Sequence, residues 1–114
     1  MPFIHTKTTK SITPDVEKVL TAELGRAITL LPGKTEEWLM LGFEGEAHMA
    51  FRGEMRDDLV FAEVKLLGQA TREAYDRLTA ALCDIYHKAL DVPTDGIYIQ
   101  YVEAKTWGFD GINF

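Results

Sequence analysis

The chain lacks the features that mark several large functional classes. Its only cysteine is Cys83, which excludes an intrachain disulfide framework and suits a reducing compartment, so the cytoplasm is the expected setting. No apolar run approaches the roughly 20 residues that cross a bilayer, and no basic stretch followed by an apolar core opens the chain. Neither a membrane partner nor a signal peptide is expected. Basic residues are scarce, 12 Lys and Arg against 18 Asp and Glu, leaving a net charge of −6. Proteins that bind nucleic acid concentrate cations to neutralise phosphate, so no nucleic-acid partner is expected. His5, His48 and His87 are scattered without metal-ligand spacing, and no metal is expected. No G-x-G-x-x-G loop is present, which removes the usual nucleotide signal, and no cofactor is expected.

What is present is an ordinary globular composition, 46% hydrophobic and 26% charged, which argues against disorder. At 114 residues the chain reads as a single domain. Its internal plan is strand, helix, strand repeated twice, over about residues 1–58 and 59–114. Pro2 to Thr8, rich in Phe, Ile and Thr, reads as the first strand. Thr13-Pro14-Asp15 supplies a capping hydroxyl, a proline at the first helical position and an acidic first turn. Val16, Val19, Leu20, Leu24, Ala27, Ile28 and Leu31 then form one apolar stripe, and Pro32-Gly33 ends the helix.

Trp38 to Phe43 is apolar nearly throughout, the pattern of a strand buried on both faces. His48 to Phe51 reads as a short extra strand, and polar Arg52 to Asp58 as a loop. Leu59 to about Leu67 opens the second unit, followed by a helix from about Thr71 to Leu90 with the stripe Ala74, Leu78, Leu82, Ile85 and Ala89. Pro93 ends it, and Gly96 to Glu103 is the last main strand. The expected fold is therefore α+β: two β-α-β units forming a four-stranded mixed sheet with both helices on one face. Trp38, Met40, Tyr98 and Gln100 alternate with helix-facing residues and point to the uncovered side. The aromatic tail of Trp107, Phe109 and Phe114 also needs cover, and closed cyclic oligomerisation meets both demands.

Pro2 carries unusual chemistry. If Met1 is removed, Pro2 exposes a secondary amine, whereas every internal proline nitrogen is an amide without basicity. A free α-amine has a pKa of roughly 7.7–8.0, and burial lowers it by disfavouring the charged form. A buried, neutral terminal proline is a general base near neutral pH. Met-Pro is also an ordinary way for a chain to begin, so Pro2 by itself leaves the question open.

Several segments, taken in order, resemble the tautomerase superfamily, in its branch containing macrophage migration inhibitory factor and D-dopachrome tautomerase. They are Met1-Pro2-Phe3-Ile4, Pro32-Gly33-Lys34, His48-Met49-Ala50-Phe51, Leu67-Gly68 and the run from Pro93 to Tyr101. The resemblance implies a homotrimer whose sheets face inward and whose sites lie between subunits. It implies a keto–enol tautomerase acting on a small 2-keto acid of the phenylpyruvate type, with Pro2 as catalytic base and Lys34 binding the substrate carboxylate. Leu67 matches the residue whose backbone N–H helps bind substrate. Tyr98 and Gln100 align with a tyrosine and an asparagine contributed across the subunit interface, and Trp38 with an aromatic pocket wall. Phe3, Trp38, Trp107 and Phe109 could supply the apolar surroundings that depress the proline pKa.

The departures from the family pattern are informative. Asp58 and Phe61 stand where some members carry a Cys-x-x-Cys pair, so thiol chemistry has no support. Gln100 replaces asparagine, and Trp107 stands where a smaller side chain can occur, narrowing the expected pocket. Glu44, Glu46, Asp57 and Asp58 read as loop acids. Arg52, Arg56 and Arg72 keep open a hydratase or dehalogenase of unsaturated acids, since such superfamily members use arginines beside the proline. A binding or signalling protein with vestigial activity is a further alternative, and a small ferredoxin-like regulatory domain another.

Overall fold

Pro2 is the first residue of a strand that becomes one of the two central strands of the sheet. The computed structural model describes residues 1–114. The main strands are β1 (Pro2–Thr8), β2 (Met40–Glu44), β5 (Val60–Leu67) and β6 (Ile97–Ala104), in the order β2-β1-β5-β6. β1 and β5 run antiparallel at the centre, and each outer strand is parallel to its neighbour. The connections β1 to β2 and β5 to β6 each carry one helix, α1 (Pro14–Ala27) and α2 (Arg72–Leu90). The mixed sheet and paired β-α-β units are those expected from the sequence.

The helices begin where the sequence places their caps. Thr13 Oγ1 accepts from the Val16 N–H and Thr71 Oγ1 from the Ala74 N–H, each satisfying one orphan donor of a first turn. α2 buries Ala74, Leu78, Leu82, Tyr86 and Leu90, an unbroken i, i+4 ladder. Tyr86 and Leu90 are the members the apolar stripe omitted; Ile85 and Ala89 flank the ladder half-buried. In α1, Val19 is exposed rather than buried. The helix proper stops at Ala27 and tightens into a 3₁₀ turn over Ile28–Leu30, ahead of Pro32-Gly33.

Alternate residues of β1 and β5 point to the helices: Ile4, Thr6 and Thr8, then Val60, Ala62, Val64 and Leu66, all buried. Phe3, His5, Glu63 and Lys65 face the other way, on the side no helix covers. Met40, Tyr98 and Gln100 are exposed on that side, as expected.

Three local expectations are corrected. Trp38 is not in a strand: it closes a 3₁₀ turn, Glu36–Trp38, and β2 starts two residues later. β2 is an edge strand, so within one chain it is not buried on both faces; Leu41 and Phe43 pack into the core while Met40 is 68% exposed. Arg52 to Asp58 is not wholly loop. β3 (Met49–Phe51) pairs antiparallel with β4 (Glu54–Arg56) through Arg52-Gly53, both at positive φ, the requirement of a tight two-residue hairpin. The tail repeats this device, with β7 (Gly108–Phe109) and β8 (Ile112–Asn113) joined by Asp110-Gly111 at positive φ.

Candidate active site

β1 delivers Pro2 to one end of the sheet, opposite Leu66 of β5. There Pro2 is buried, at the floor of an open cleft of about 650 Å³ lined by Met1, Phe3, Trp38, Met40, Trp107 and Phe109 among others. Each wall comes from a different connection. The α1–β2 segment brings Trp38, and the tail hairpin folds back to bring Phe109, whose ring meets Trp38 edge-on with centroids 5.4 Å apart. The hairpin is closed by reciprocal backbone bonds between Trp107 and Phe114, of 3.1 and 2.9 Å.

Lys34 follows Gly33, whose φ of +80° lets the chain turn back after α1. Its Nζ donates to the Leu67 carbonyl oxygen at 2.9 Å, tying the α1–β2 segment to the end of β5. The Leu67 N–H in turn donates to the Met1 carbonyl oxygen at 3.3 Å. The fold thus brings Pro2, Lys34, Leu67, Trp38, Trp107 and Phe109 to one end of the sheet. The Met1 ammonium lies below its ordinary pKa, first because burial strips its water and second because the Lys34 charge repels it. While Met1 is attached, the nitrogen of Pro2 is an amide and the basic amine belongs to Met1.

Tyr98 and Gln100 lie elsewhere in the chain. Tyr98 is opposite Phe61, five residues along β5 from the partner of Pro2 and on the order of 17 Å away at the rise of a strand. Tyr98 lines a separate apolar hollow of about 130 Å³ with Met49, Phe51 and Phe61, and meets the Phe51 ring edge-on at 5.4 Å. Gln100 is exposed on the uncovered face opposite Glu63. Arg52 and Arg56 lie over the ring of Phe51, and Arg72 pairs with Asp76 on α2. None of the three arginines lines the Pro2 cleft of its own chain.

On the uncovered face, His5 Nε2 is 3.3 Å from Glu44 and Nδ1 is 3.4 Å from Glu63. No group of three or more His, Cys, Asp or Glu side chains is arranged to hold a metal ion. No helix is long and apolar enough to cross a membrane. The place of Phe51 beside Tyr98 and the two hairpins were not anticipated. Asp110-Gly111 between Phe109 and Ile112 is a turn signal that could have revealed the tail hairpin.

The family profile of macrophage migration inhibitory factor (MIF) matches residues 1–114, and the chain belongs to that family. It is 26% identical to the macrophage migration inhibitory factor of Xenopus laevis over 113 residues, covering 97% of this chain and 95% of that protein. The crystal structure of Leishmania major MIF2 matches with a TM-score of 0.92 at 24% identity, covering 100% of this chain and 97% of that one. The asymmetric trimer of wild-type R7 fused 4-OT matches at 0.83 and 16% identity, covering 96% and 94%. Both structural likenesses establish the fold, and of the two the fused 4-OT is described as an asymmetric trimer. Family membership displaces the ferredoxin-like alternative.

Proposed function

We propose that the chain is a cofactor-independent keto–enol tautomerase acting on a small 2-keto acid of the phenylpyruvate type. The observation that carries this reading is a buried Pro2 at the floor of an apolar cleft, with the Lys34 ammonium held at the same end of the sheet. After removal of Met1, the neutral amine of Pro2 takes the proton from the carbon beside the keto group. A proton is delivered to the carbonyl oxygen, so one C–H bond is exchanged for one O–H bond and no electrons leave the substrate. Ketonisation runs the same steps in reverse.

The surroundings of Pro2 favour the neutral amine in two ways, since apolar walls remove water and Lys34 disfavours a second cation. Both influences already act on the Met1 amine at this end of the sheet. Lys34 is the anchor for the substrate carboxylate through a charge-assisted hydrogen bond. Removing Met1 also frees the Leu67 N–H, which becomes available to a ligand. Trp38, Trp107 and Phe109 form walls suited to an aromatic substituent. Tyr98 and Gln100, remote in their own chain, complete the cleft of a neighbouring subunit in a homotrimer. Half-buried, unpaired Cys83 suits the cytoplasm as the working compartment.

The test is the ultraviolet assay of phenylpyruvate enol ketonisation, comparing the wild type with Pro2→Gly alongside intact mass. We expect protein lacking Met1 to be active and Pro2→Gly to lose most of its rate. An undiminished rate in Pro2→Gly would sink the proline mechanism. Protein that retains Met1 in the cell would leave a binding or signalling role in its place.

A further inference from the structure

We infer that Arg52 is a specificity residue, selecting acids that carry a second anionic group at the end remote from the reacting carbon. The inference rests on the tautomerase reading in two respects, that Tyr98 completes the Pro2 cleft of a neighbouring subunit and that Lys34 holds the near carboxylate. Within its own chain, Tyr98 does not travel alone.

Tyr98 is 58% exposed, and its ring lies edge-on against Phe51 at 5.4 Å. Two guanidinium groups lie over that same Phe51 ring, Arg52 at 5.4 Å and Arg56 at 5.8 Å. Such stacking fixes the direction of a guanidinium without using its hydrogen-bond donors.

The two arginines differ in what their donors do. Arg56 Nε bonds Asp58 at 2.7 Å, and its terminal nitrogen is 3.5 Å from Asp95. The Asp58 carboxyl is held below its usual range, chiefly by that hydrogen bond. Arg56 is thus committed to the scaffold.

Arg52 is exposed at the tip of the β3–β4 turn and has no carboxylate partner, in a chain with 18 acidic residues. It adopts a φ of +55°, where asparagine or glycine is the usual occupant. A fork of donors with no carboxylate partner therefore sits over Phe51, which lines the apolar hollow with Met49, Phe61 and Tyr98. A planar guanidinium in that state recognises a carboxylate in a bidentate manner. With Lys34 holding the near carboxylate and Tyr98 entering from the next subunit, Arg52 arrives at the far end of the ligand.

Cinnamate and 4-carboxycinnamate are unreactive probes that differ by one distal carboxylate. Their binding is read by quenching of Trp38 and Trp107, which line the cleft. Wild-type protein is expected to bind 4-carboxycinnamate about tenfold more tightly than cinnamate, the effect of one charge-assisted pair. Arg52→Gln is expected to erase that preference while leaving cinnamate affinity within about twofold, which also shows an intact fold; Arg52→Lys keeps part of it. No preference in the wild type, or a preference surviving in Arg52→Gln, overturns the assignment. Pro2→Gly separates the two readings: its ketonisation rate tests the base, while the probe preference measured in the same variant tests Arg52.

Discussion

The ammonium of Lys34 donates to the backbone carbonyl oxygen of Leu67, 33 residues away in sequence, at 2.9 Å. That bond joins the segment after α1 to the end of β5 and places a cation beside the start of β1. In the proposed mechanism a substrate carboxylate competes with this neutral carbonyl for the ammonium and is favoured, because charge-assisted bonds are about twice as strong. Lys34→Ala is therefore expected to raise KM for phenylpyruvate about tenfold or more, with a smaller change in kcat. Steady-state kinetics check this, and a fall confined to kcat would remove Lys34 from the anchor role.

The same cation affects the amine at the chain start. In the folded protein the Met1 ammonium is disfavoured by burial and then by Lys34, so its pKa lies below the ordinary 8.0. The unfolded chain keeps the ordinary value and holds more protons between the two. Stability of the Met1-bearing protein is thus expected to rise as pH increases through that window, reaching its full value above 8.0. Lys34→Gln removes the second cause and is expected to move the amine back toward its ordinary value. The pH profile of amine acylation, followed by intact mass, reads the shift directly.

Trp38 and Phe109 both line the cleft and meet edge-on. An aromatic edge contact of this kind is worth about 0.5–1.5 kcal/mol, and Trp38 is 48% exposed, so its loss is a modest matter for stability. Its loss as a wall is not modest for an aromatic ligand. Trp38→Ala is expected to raise KM several-fold for phenylpyruvate with a melting temperature little changed, while Trp38→Phe keeps most of the affinity. An unchanged KM in Trp38→Ala would mean that substrate does not touch this wall.

Thr6 and Tyr86 share a fully buried hydrogen bond of 2.6 Å between β1 and α2. Burial raises the Tyr86 phenol pKa, so it stays neutral. Tyr86→Phe leaves the Thr6 hydroxyl without its partner and is expected to cost about 1–3 kcal/mol in urea denaturation. Replacing both partners, with Thr6→Val added, is expected to cost less than the sum of the single changes. Strict additivity would show that the bond carries no coupling.

Much of the fold was legible because the relevant signals are local. Thr13-Pro14-Asp15 and Thr71 are caps wherever the chain goes, and alternation in β5 declares one buried face. The errors lie where neighbours decide. Trp38 continues an apolar run, yet the chain reaches the sheet only at Met40, after a 3₁₀ turn. Val19 fits the stripe of α1 but lies at its margin, where no second layer covers it. The Arg52-Gly53 turn is polar and short, and only pairing of Met49–Phe51 with Glu54–Arg56 makes it a hairpin. Among site residues, Pro2, Lys34 and Leu67 were marked by resemblance at separate points of the chain. Their meeting at one end of the sheet, with Trp38, Trp107 and Phe109 as walls, came from the structure.

The amino-acid order by itself determined the two β-α-β units, the helix starts and a proline at the second position, whose nitrogen becomes a secondary amine only when Met1 is removed. Those depend on backbone preference and covalent chemistry, which act within a few residues. Tertiary structure decided what the amine has for company. Burial of Pro2, the position of Lys34 and the separation of Tyr98 from the cleft are set by strand register and by how the connections fold back. Such long-range contacts carry no mark in the segments that make them, because their energies depend on what each side chain finally meets.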